Sequence, residues 1–425
     1  MVAIGTDETL APHEPPIVIG SREQLFHLLA EAAEIEHTLM CSYLFAALSL
    51  RDETDPTLTD AQSEAVSRWR KAIMGVAIQE MGHLLIVSNL TSAIGGRPHF
   101  SRPNFPVSSG YFPSGVTLTL SPFSAATIRH FVFLERPTGV DLTDGDGFAK
   151  IVFERTQRVA GLMPSAQDYT TVSHLYEAIR SNLDAVADRI GEDRLFIGSQ
   201  HSQLGPSVFK MDKVEVITDL AAARRAIDTI IEEGEGAPED REKSHYQTFS
   251  TIERELGALL EAAPAFSPGY PVAENPVMRH HADLSDKVYI DATPAAVLLD
   301  LGNAVYGLLL RCLVQTYAYG EETQAEAKRE LMATALDLMH GLGTVAKALA
   351  RLPASPERPG VNAGITFTML RGIEPYIAGP IERALVRERL SELSSGVSRL
   401  AGHAVELAAF AAALARRADA FKSMA

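Results

Sequence analysis

The sequence predicts an all-α protein, built as a four-helix bundle with a long irregular crossover and followed by a C-terminal helical bundle. Three observations predict this fold class. Apolar residues recur at alternating spacings of three and four over long segments, which is the period of one α-helical face. Stretches rich in proline and glycine separate these segments. Acidic or imidazole side chains interrupt the apolar face of several segments, which predicts a buried polar site.

The composition is that of an ordinary soluble globular protein, with 46% hydrophobic and 22% charged residues among 425. A net charge of −16 argues against nucleic acid or an anionic membrane as partner. The two cysteines, Cys41 and Cys312, lie in apolar stretches and are expected to be buried thiols. No basic segment precedes an apolar run at the N-terminus, and no uncharged run reaches membrane-span length. We therefore expect a cytoplasmic protein, with a homodimer as one option.

Breaks in the pattern predict four regions. An extended arm covers residues 1–20, and the main helical domain covers 21–265 with its crossover at 96–218. A proline-rich linker at 266–292 leads to a C-terminal helical domain at 293–425.

The first helix is predicted from Ser21, a capping residue, to about Leu50. Glu36 lies in the middle of its apolar seam, where an unpaired carboxylate would cost several kcal/mol. His37 lies beside the seam and is a candidate supporting group. Tyr43 lies on the seam, where a core role and a hydrogen bond near a metal ion both remain open.

The second helix, at about 62–95, carries Glu80-x-x-His83 on its buried face. The residues of that face follow the three-four spacing: Trp69, Ile73, Val76, Glu80, His83, Val87, Leu90 and Ile94. A metal ion would account for a carboxylate and an imidazole one turn apart in an apolar seam.

In the crossover at 96–218, the hydrophobic pattern is a mixture of helix-like and strand-like segments. Residues 115–123 alternate like a short strand, and a short helix before Pro137 ends in the sequence FLERP. A helix beginning at Asp219 then precedes a second Glu-x-x-His motif, Glu242 and His245, which is predicted to lie inside the following helix.

Together these residues match the ligand set of di-iron and di-manganese carboxylate proteins, which use two Glu-x-x-His motifs and one further Glu from each of two other helices. Glu36 supplies one further Glu. Glu235 is preferred for the other because it follows the apolar face of its helix, with Glu177 as the rival and Glu232 on a polar face. The predicted cofactor is two ions of iron, or manganese.

Five segments resemble the ferritin-like domain of iminophenyl-pyruvate dimer synthases, bacterial enzymes of violacein- and rebeccamycin-type pathways. They are EAAEIEHTLMCSYLFAALSL, QEMGHLLIVSNLTSAIGGRPHF with NFP, FLERP, EEGEG and SHYQTF. The resemblance covers about residues 20–265 and indicates a stand-alone member. It implies a ferritin-like four-helix bundle, metal binding by Glu36, Glu80, His83, Glu242 and His245, and a substrate made from an indole amino acid.

The leading hypothesis is a metal-dependent oxidase or oxygenase acting on a small molecule of secondary metabolism. The aromatic loop at 98–112 and the C-terminal bundle are the expected pocket walls. The alternatives are a metal-storage protein without a substrate and a helical interaction protein with a vestigial site.

Overall fold

Helices dominate the computed structural model of the protein. It describes residues 17–108, 110–113, 116–148, 163–234, 244–279, 287–369, 371, 373–403 and 405–423. Eleven α-helices occur in these ranges, together with one pair of two-residue strands. The all-α prediction is therefore confirmed.

The first two helices form a long antiparallel hairpin, as the sequence predicts. Helix α1 covers Arg22–Ser49 and α2 covers Asp60–Ala93. Ser21 accepts a hydrogen bond from the backbone N–H of Gln24 at 3.1 Å, and Thr59 forms a full capping box at the start of α2. These caps satisfy backbone donors at both helix starts.

The predicted crossover contributes helices that pack on the later helices of the main domain. The helices from here to the end of the main domain are α3 (Ala125–Leu134), α4 (Val172–Ile190), α5 (Glu192–Leu195), α6 (Leu220–Gly234) and α7 (His245–Ala262). Helix α3 packs along α7, and α4 packs along α6. Helices α1, α2, α3 and α7 therefore surround the buried polar groups, with α4 and α6 covering them.

Two local predictions in this region are wrong. The segment 116–120 forms no strand, although Leu120 and Asn275 exchange hydrogen bonds of 2.9 and 3.2 Å. Helix α7 begins at His245 because Ser244, with extended backbone, caps it and accepts from the Gln247 N–H. The expected helical start before residue 242 is therefore not observed.

The C-terminal region consists of two helix pairs. They are α8 (Ala295–Thr316) with α9 (Ala325–Leu349), and α10 (Pro380–Leu400) with α11 (Val405–Ser423). A short 3₁₀ turn at Ala401–His403 directly follows α10. Before them, strands β1 (Pro276–Val277) and β2 (Val288–Tyr289) pair in parallel within the predicted linker.

One hydrophobic core runs through both helical regions. Helices α2 and α8 are long and apolar enough to cross a membrane, which the sequence analysis did not expect. However, 72% and 78% of their most apolar windows are buried inside the protein. Their composition is therefore explained by packing in the core, as is typical of a soluble protein.

Candidate metal centre

The buried polar groups lie where α1, α2, α3 and α7 meet. Two groups of three ligand-type side chains occur there, Glu36 with Glu80 and His83, and Glu80 with Glu135 and His245. Within each group the ligand-type atoms lie within 4.8 Å of one another. All five side chains are buried, and Glu80 belongs to both groups.

Glu80 joins the two groups through its two carboxylate oxygens. Its Oε2 lies 3.0 Å from Nδ1 of His83, and its Oε1 lies 3.1 Å from Nδ1 of His245. The two imidazole rings are 5.5 Å apart between centroids. The Glu80 carboxylate therefore lies between the two histidines, in the position of a bridging group.

The remaining carboxylates complete the two groups. Glu36 Oε2 lies 3.4 Å from His83 Nδ1, and Glu135 Oε2 lies 3.5 Å from His245 Nδ1. Each of these inner Nδ1 atoms therefore faces one shared and one unshared carboxylate. The arrangement is nearly symmetrical about Glu80.

Two tyrosines hold the unshared carboxylates from outside. Tyr176 on α4 donates its hydroxyl to Glu36 Oε1, and Tyr43 on α1 donates to Glu135 Oε1. In each case the other oxygen, Oε2, faces the centre. Hydrogen bonds of this kind fix the direction of a carboxylate ligand.

Glu233 supports His83 from the far side of the ring. Its Oε2 lies 3.2 Å from His83 Nε2, and its Oε1 lies 2.6 Å from Nζ of Lys213. The Lys213 ammonium and the His83 ring hold the pKa of Glu233 at about 2, although burial opposes this. An ionised Glu233 keeps the proton of His83 on Nε2, which leaves Nδ1 to face Glu36 and Glu80.

Without a cation, these groups compete for protons. Burial and the nearby Glu80 charge raise the pKa of Glu36 to about 8. Burial alone would lower the pKa of His245, but Glu80 and Glu135 raise it to about 9. A buried cluster that can be neutral only by holding extra protons is suited to divalent cations, which would replace them.

Buried polar atoms that lack well-aligned hydrogen bonds also favour a metal site. Oε2 of Glu36 and both ring nitrogens of His245 are buried and make no well-aligned hydrogen bond among the described residues, although Glu36 Oε2 lies 3.4 Å from His83 Nδ1 and His245 Nδ1 lies 3.1 Å from Glu80 Oε1. Such groups cost about 1–3 kcal/mol each if they stay unsatisfied. Carboxylate oxygens and imidazole nitrogens suit iron or manganese, so the residues present fit a metal centre.

The structure brings together four of the six ligands predicted from sequence: Glu36, Glu80, His83 and His245. Glu235 and Glu242 lie outside the described residues and stay predictions. The rival Glu177 is exposed on α4, so its side chain does not face the buried cluster.

Glu135 is the group that the sequence analysis missed. It caps the C-terminus of α3 and is 7% exposed. The signal was present, because Ile128, Phe131 and Glu135 follow the three-four spacing, and both apolar residues are buried. The sequence pattern places this short helix in the crossover, and the FLERP segment is not among the predicted ligands.

His37 does not support the metal centre. Its Nδ1 lies 3.0 Å from the Phe100 carbonyl oxygen, and its Nε2 accepts from the Tyr306 hydroxyl at 2.6 Å. Its side chain therefore faces the C-terminal helices. Tyr43, for which a core role and a hydrogen-bonding role were both open, donates its hydroxyl hydrogen bond to Glu135.

Comparison with known proteins agrees with this fold. A family model described as Ferritin-like matches residues 29–254. The match covers more than half of the chain, and the chain belongs to the ferritin-like family.

Curated relatives narrow the family further. Dichlorochromopyrrolate synthase of Lentzea aerocolonigenes is 28% identical over 397 residues, which are 83% of this chain and 36% of the relative. The 2-imino-3-(indol-3-yl)propanoate dimerase of Chromobacterium violaceum is 26% identical over 386 residues, which are 82% of this chain and 35% of the relative. These matches confirm the resemblance to the dimer synthases. The chain spans about a third of the length of both relatives.

One solved structure is also similar, a ferritin-like protein from Caulobacter vibrioides. It covers 76% of this chain and 98% of its own, with 18% sequence identity and a TM-score of 0.47.

Proposed function

We propose that this protein binds two divalent ions, iron or manganese, in the cluster around Glu80. One ion would be held by Glu36 and His83, the other by Glu135 and His245, and Glu80 would contact both. The position of Glu80 carries this proposal, because its two oxygens face two different imidazoles at 3.0 and 3.1 Å. Glu135 takes the role for which the sequence favoured Glu235, and Glu242 remains a predicted further carboxylate.

The surrounding residues would orient the ligands and exclude water. Tyr43 and Tyr176 hold the outer oxygens of Glu135 and Glu36, so their inner oxygens are directed at the centre. Glu233 holds the Nε2 proton of His83. Ile230 and Leu39 line the small remaining space, whose volume is about 20 Å³. These groups keep the donor atoms in place before any ion arrives.

A pair of such ions, when bound, supplies redox equivalents for chemistry with dioxygen. We propose that the protein uses this chemistry as an oxidase or oxygenase on a small molecule of secondary metabolism. Support comes from the names of the two relatives, a dichlorochromopyrrolate synthase and a 2-imino-3-(indol-3-yl)propanoate dimerase. The second name describes an imine that carries an indole ring. An indole-derived imine is therefore the first substrate class to test.

The test uses iron-loaded, reduced protein in two steps. Dioxygen uptake is first measured without substrate and with a chemical reductant. The imine is then generated from tryptophan by an added amino-acid oxidase, and dimeric products are sought by mass spectrometry. We expect both signals from the wild type, neither from Glu80→Ala, and both from Glu177→Ala, which changes an exposed residue of α4. Metal-loaded wild type that neither takes up dioxygen nor alters the imine would overturn the proposed activity.

A further inference from the structure

A second cavity lies on the opposite side of the α1–α2 hairpin from the metal centre. Its volume is about 310 Å³. Helices α1 and α2 form one wall, α8 and α9 form the other, and Phe100, Phe209 and Phe367 also line the space. The sequence analysis expected pocket walls from the loop at 98–112 and the C-terminal bundle, and Phe100 and the helices α8 and α9 do line this cavity.

The cavity is separate from the metal centre. None of the described residues lines both spaces. Consecutive residues on α1 show the division, because Glu36 and Leu39 face the metal centre while His37 and Met40 face the cavity. The α1–α2 hairpin therefore has two buried faces, and a ligand in the cavity would lie behind the metal ligands.

The walls are almost entirely apolar. Aliphatic side chains from all four helices surround the space. Six methionines line it, five on these helices and Met211 on the segment before α6: Met40, Met74, Met81, Met211, Met332 and Met339. Methionine side chains are flexible and polarisable, so they adapt to irregular apolar ligands. Ligand pockets in proteins start at about 300 Å³, and a cavity of about 150 Å³ can hold benzene. This space is therefore large enough for two or three fused or linked rings, or for a comparable alkyl chain.

The buried polar groups at the wall are already satisfied. The Tyr306 hydroxyl donates to His37 Nε2 at 2.6 Å and accepts from Nη2 of Arg102 at 3.0 Å. His37 uses its second nitrogen on the Phe100 carbonyl. Neither side chain has a hydrogen-bonding position left for a ligand. A charged or strongly polar ligand would lose its hydration here without compensation.

The cavity has an exposed edge. Ile78 on α2 is 51% exposed, and His340 on α9 is also exposed. Both line the cavity, so a ligand can enter between α2 and α9. An isoleucine half exposed beside a large apolar space is consistent with a ligand entrance.

We propose that this cavity is a binding site for one neutral, predominantly apolar small molecule, held between the α1–α2 and α8–α9 pairs independently of the metal ions. The lining excludes ions, and the enclosure by two helix pairs excludes an extended peptide, whose backbone would lack hydrogen-bond partners.

The probe for this site is N-phenyl-1-naphthylamine, a neutral three-ring fluorophore that brightens in apolar surroundings. Two variants fill the cavity from different helices of the α8–α9 wall. Gly343→Leu acts from α9, where a Cβ atom meets no other atom within 4 Å, and Leu309→Trp acts from α8. Gly257→Leu is the matched control, because Gly257 is exposed on α7 and also has open space around its Cβ position.

We expect saturable binding of one probe per chain to the wild type and to Gly257→Leu. Gly343→Leu and Leu309→Trp should each weaken binding at least tenfold while melting cooperatively. Chelation of the metal should leave probe affinity unchanged, whereas it would abolish the proposed oxidase activity, so the two proposals fail separately. No saturable binding to the wild type, equal binding to both filled variants, or loss of binding on chelation would each overturn the proposal.

Discussion

Removal of one tyrosine hydroxyl should selectively weaken the binding of one of the two metal ions. Tyr43 is fully buried, and its ring packs against Phe131 and Phe249 at centroid distances of 4.6 and 4.9 Å. Tyr43→Phe keeps these aromatic contacts and removes the hydrogen bond to Glu135 Oε1. Tyr176→Phe makes the equivalent change at Glu36, on the other side of Glu80.

The expected size follows from the kind of hydrogen bond that is lost. A hydrogen bond to a charged group contributes about 1.5–3 kcal/mol, and removal of an outer partner of a metal ligand typically lowers metal affinity about 10–100-fold. Among the described ligands, Glu135 is the one to which Tyr43 donates its hydrogen bond. We therefore expect this decrease in affinity for the ion beside His245 and little change in affinity for the ion beside His83.

The assay is competitive titration of the two ions with a chromophoric chelator. Each single variant should bind one ion with lowered affinity and the other with normal affinity. The double variant should bind both ions with lowered affinity. Tyr306→Phe is the control, because it removes a buried hydroxyl that bonds to His37 away from the centre. It should lower thermal stability and keep both affinities. Equal weakening of both ions by Tyr43→Phe, or no weakening at all, would refute the assignment of Glu135 and Glu36 to separate ions.

Three further predictions follow from the same structure. Glu135→Gln should lower the metal content by about one ion per chain, whereas Glu177→Gln, on the exposed side of α4, should leave it unchanged; elemental analysis distinguishes these outcomes, and full occupancy in Glu135→Gln would contradict the ligand set. Chelation should lower the midpoint of thermal unfolding, because it leaves buried carboxylates uncompensated; an unchanged midpoint by calorimetry would contradict this. Burial lowers the pKa of Lys328 from 10.5 to about 8, so the unfolded chain binds more protons between these values and stability should rise with pH there. Relative to Lys328→Met, the wild type should gain on the order of 3 kcal/mol of unfolding free energy between pH 8 and 10.5 in urea titrations, and a flat difference would contradict the lowered pKa of Lys328.

The sequence predicts the parts of the site that lie on long helices. Glu36, Glu80 and His83 stand on seams of α1 and α2 that repeat over many turns, so their burial follows from the spacing alone. His245 was also placed correctly, although it is the first residue of α7 and the predicted earlier start is wrong. A seam of apolar residues after it was sufficient to fix its face.

The rest depends on tertiary packing that spacing does not encode. Glu135 terminates a helix of ten residues, too short for its periodicity to stand out from a loop-rich crossover. The spacing shows that both His37 and Glu36 are on apolar stripes, but it does not show that one stripe packs on α4 and α7 and the other on α8. For the same reason, the cavity behind α1 and α2 could be expected only as unspecified pocket walls.

Metal content tests the central claim most directly. Protein purified without chelators should contain about two ions of iron or manganese per chain by elemental analysis, after anaerobic iron reconstitution if needed. The double variant His83→Ala/His245→Ala removes the imidazole from each group and should contain none. Two ions lost in the variant would establish the centre. No metal in the reconstituted wild type, or equal metal in both proteins, would contradict the account.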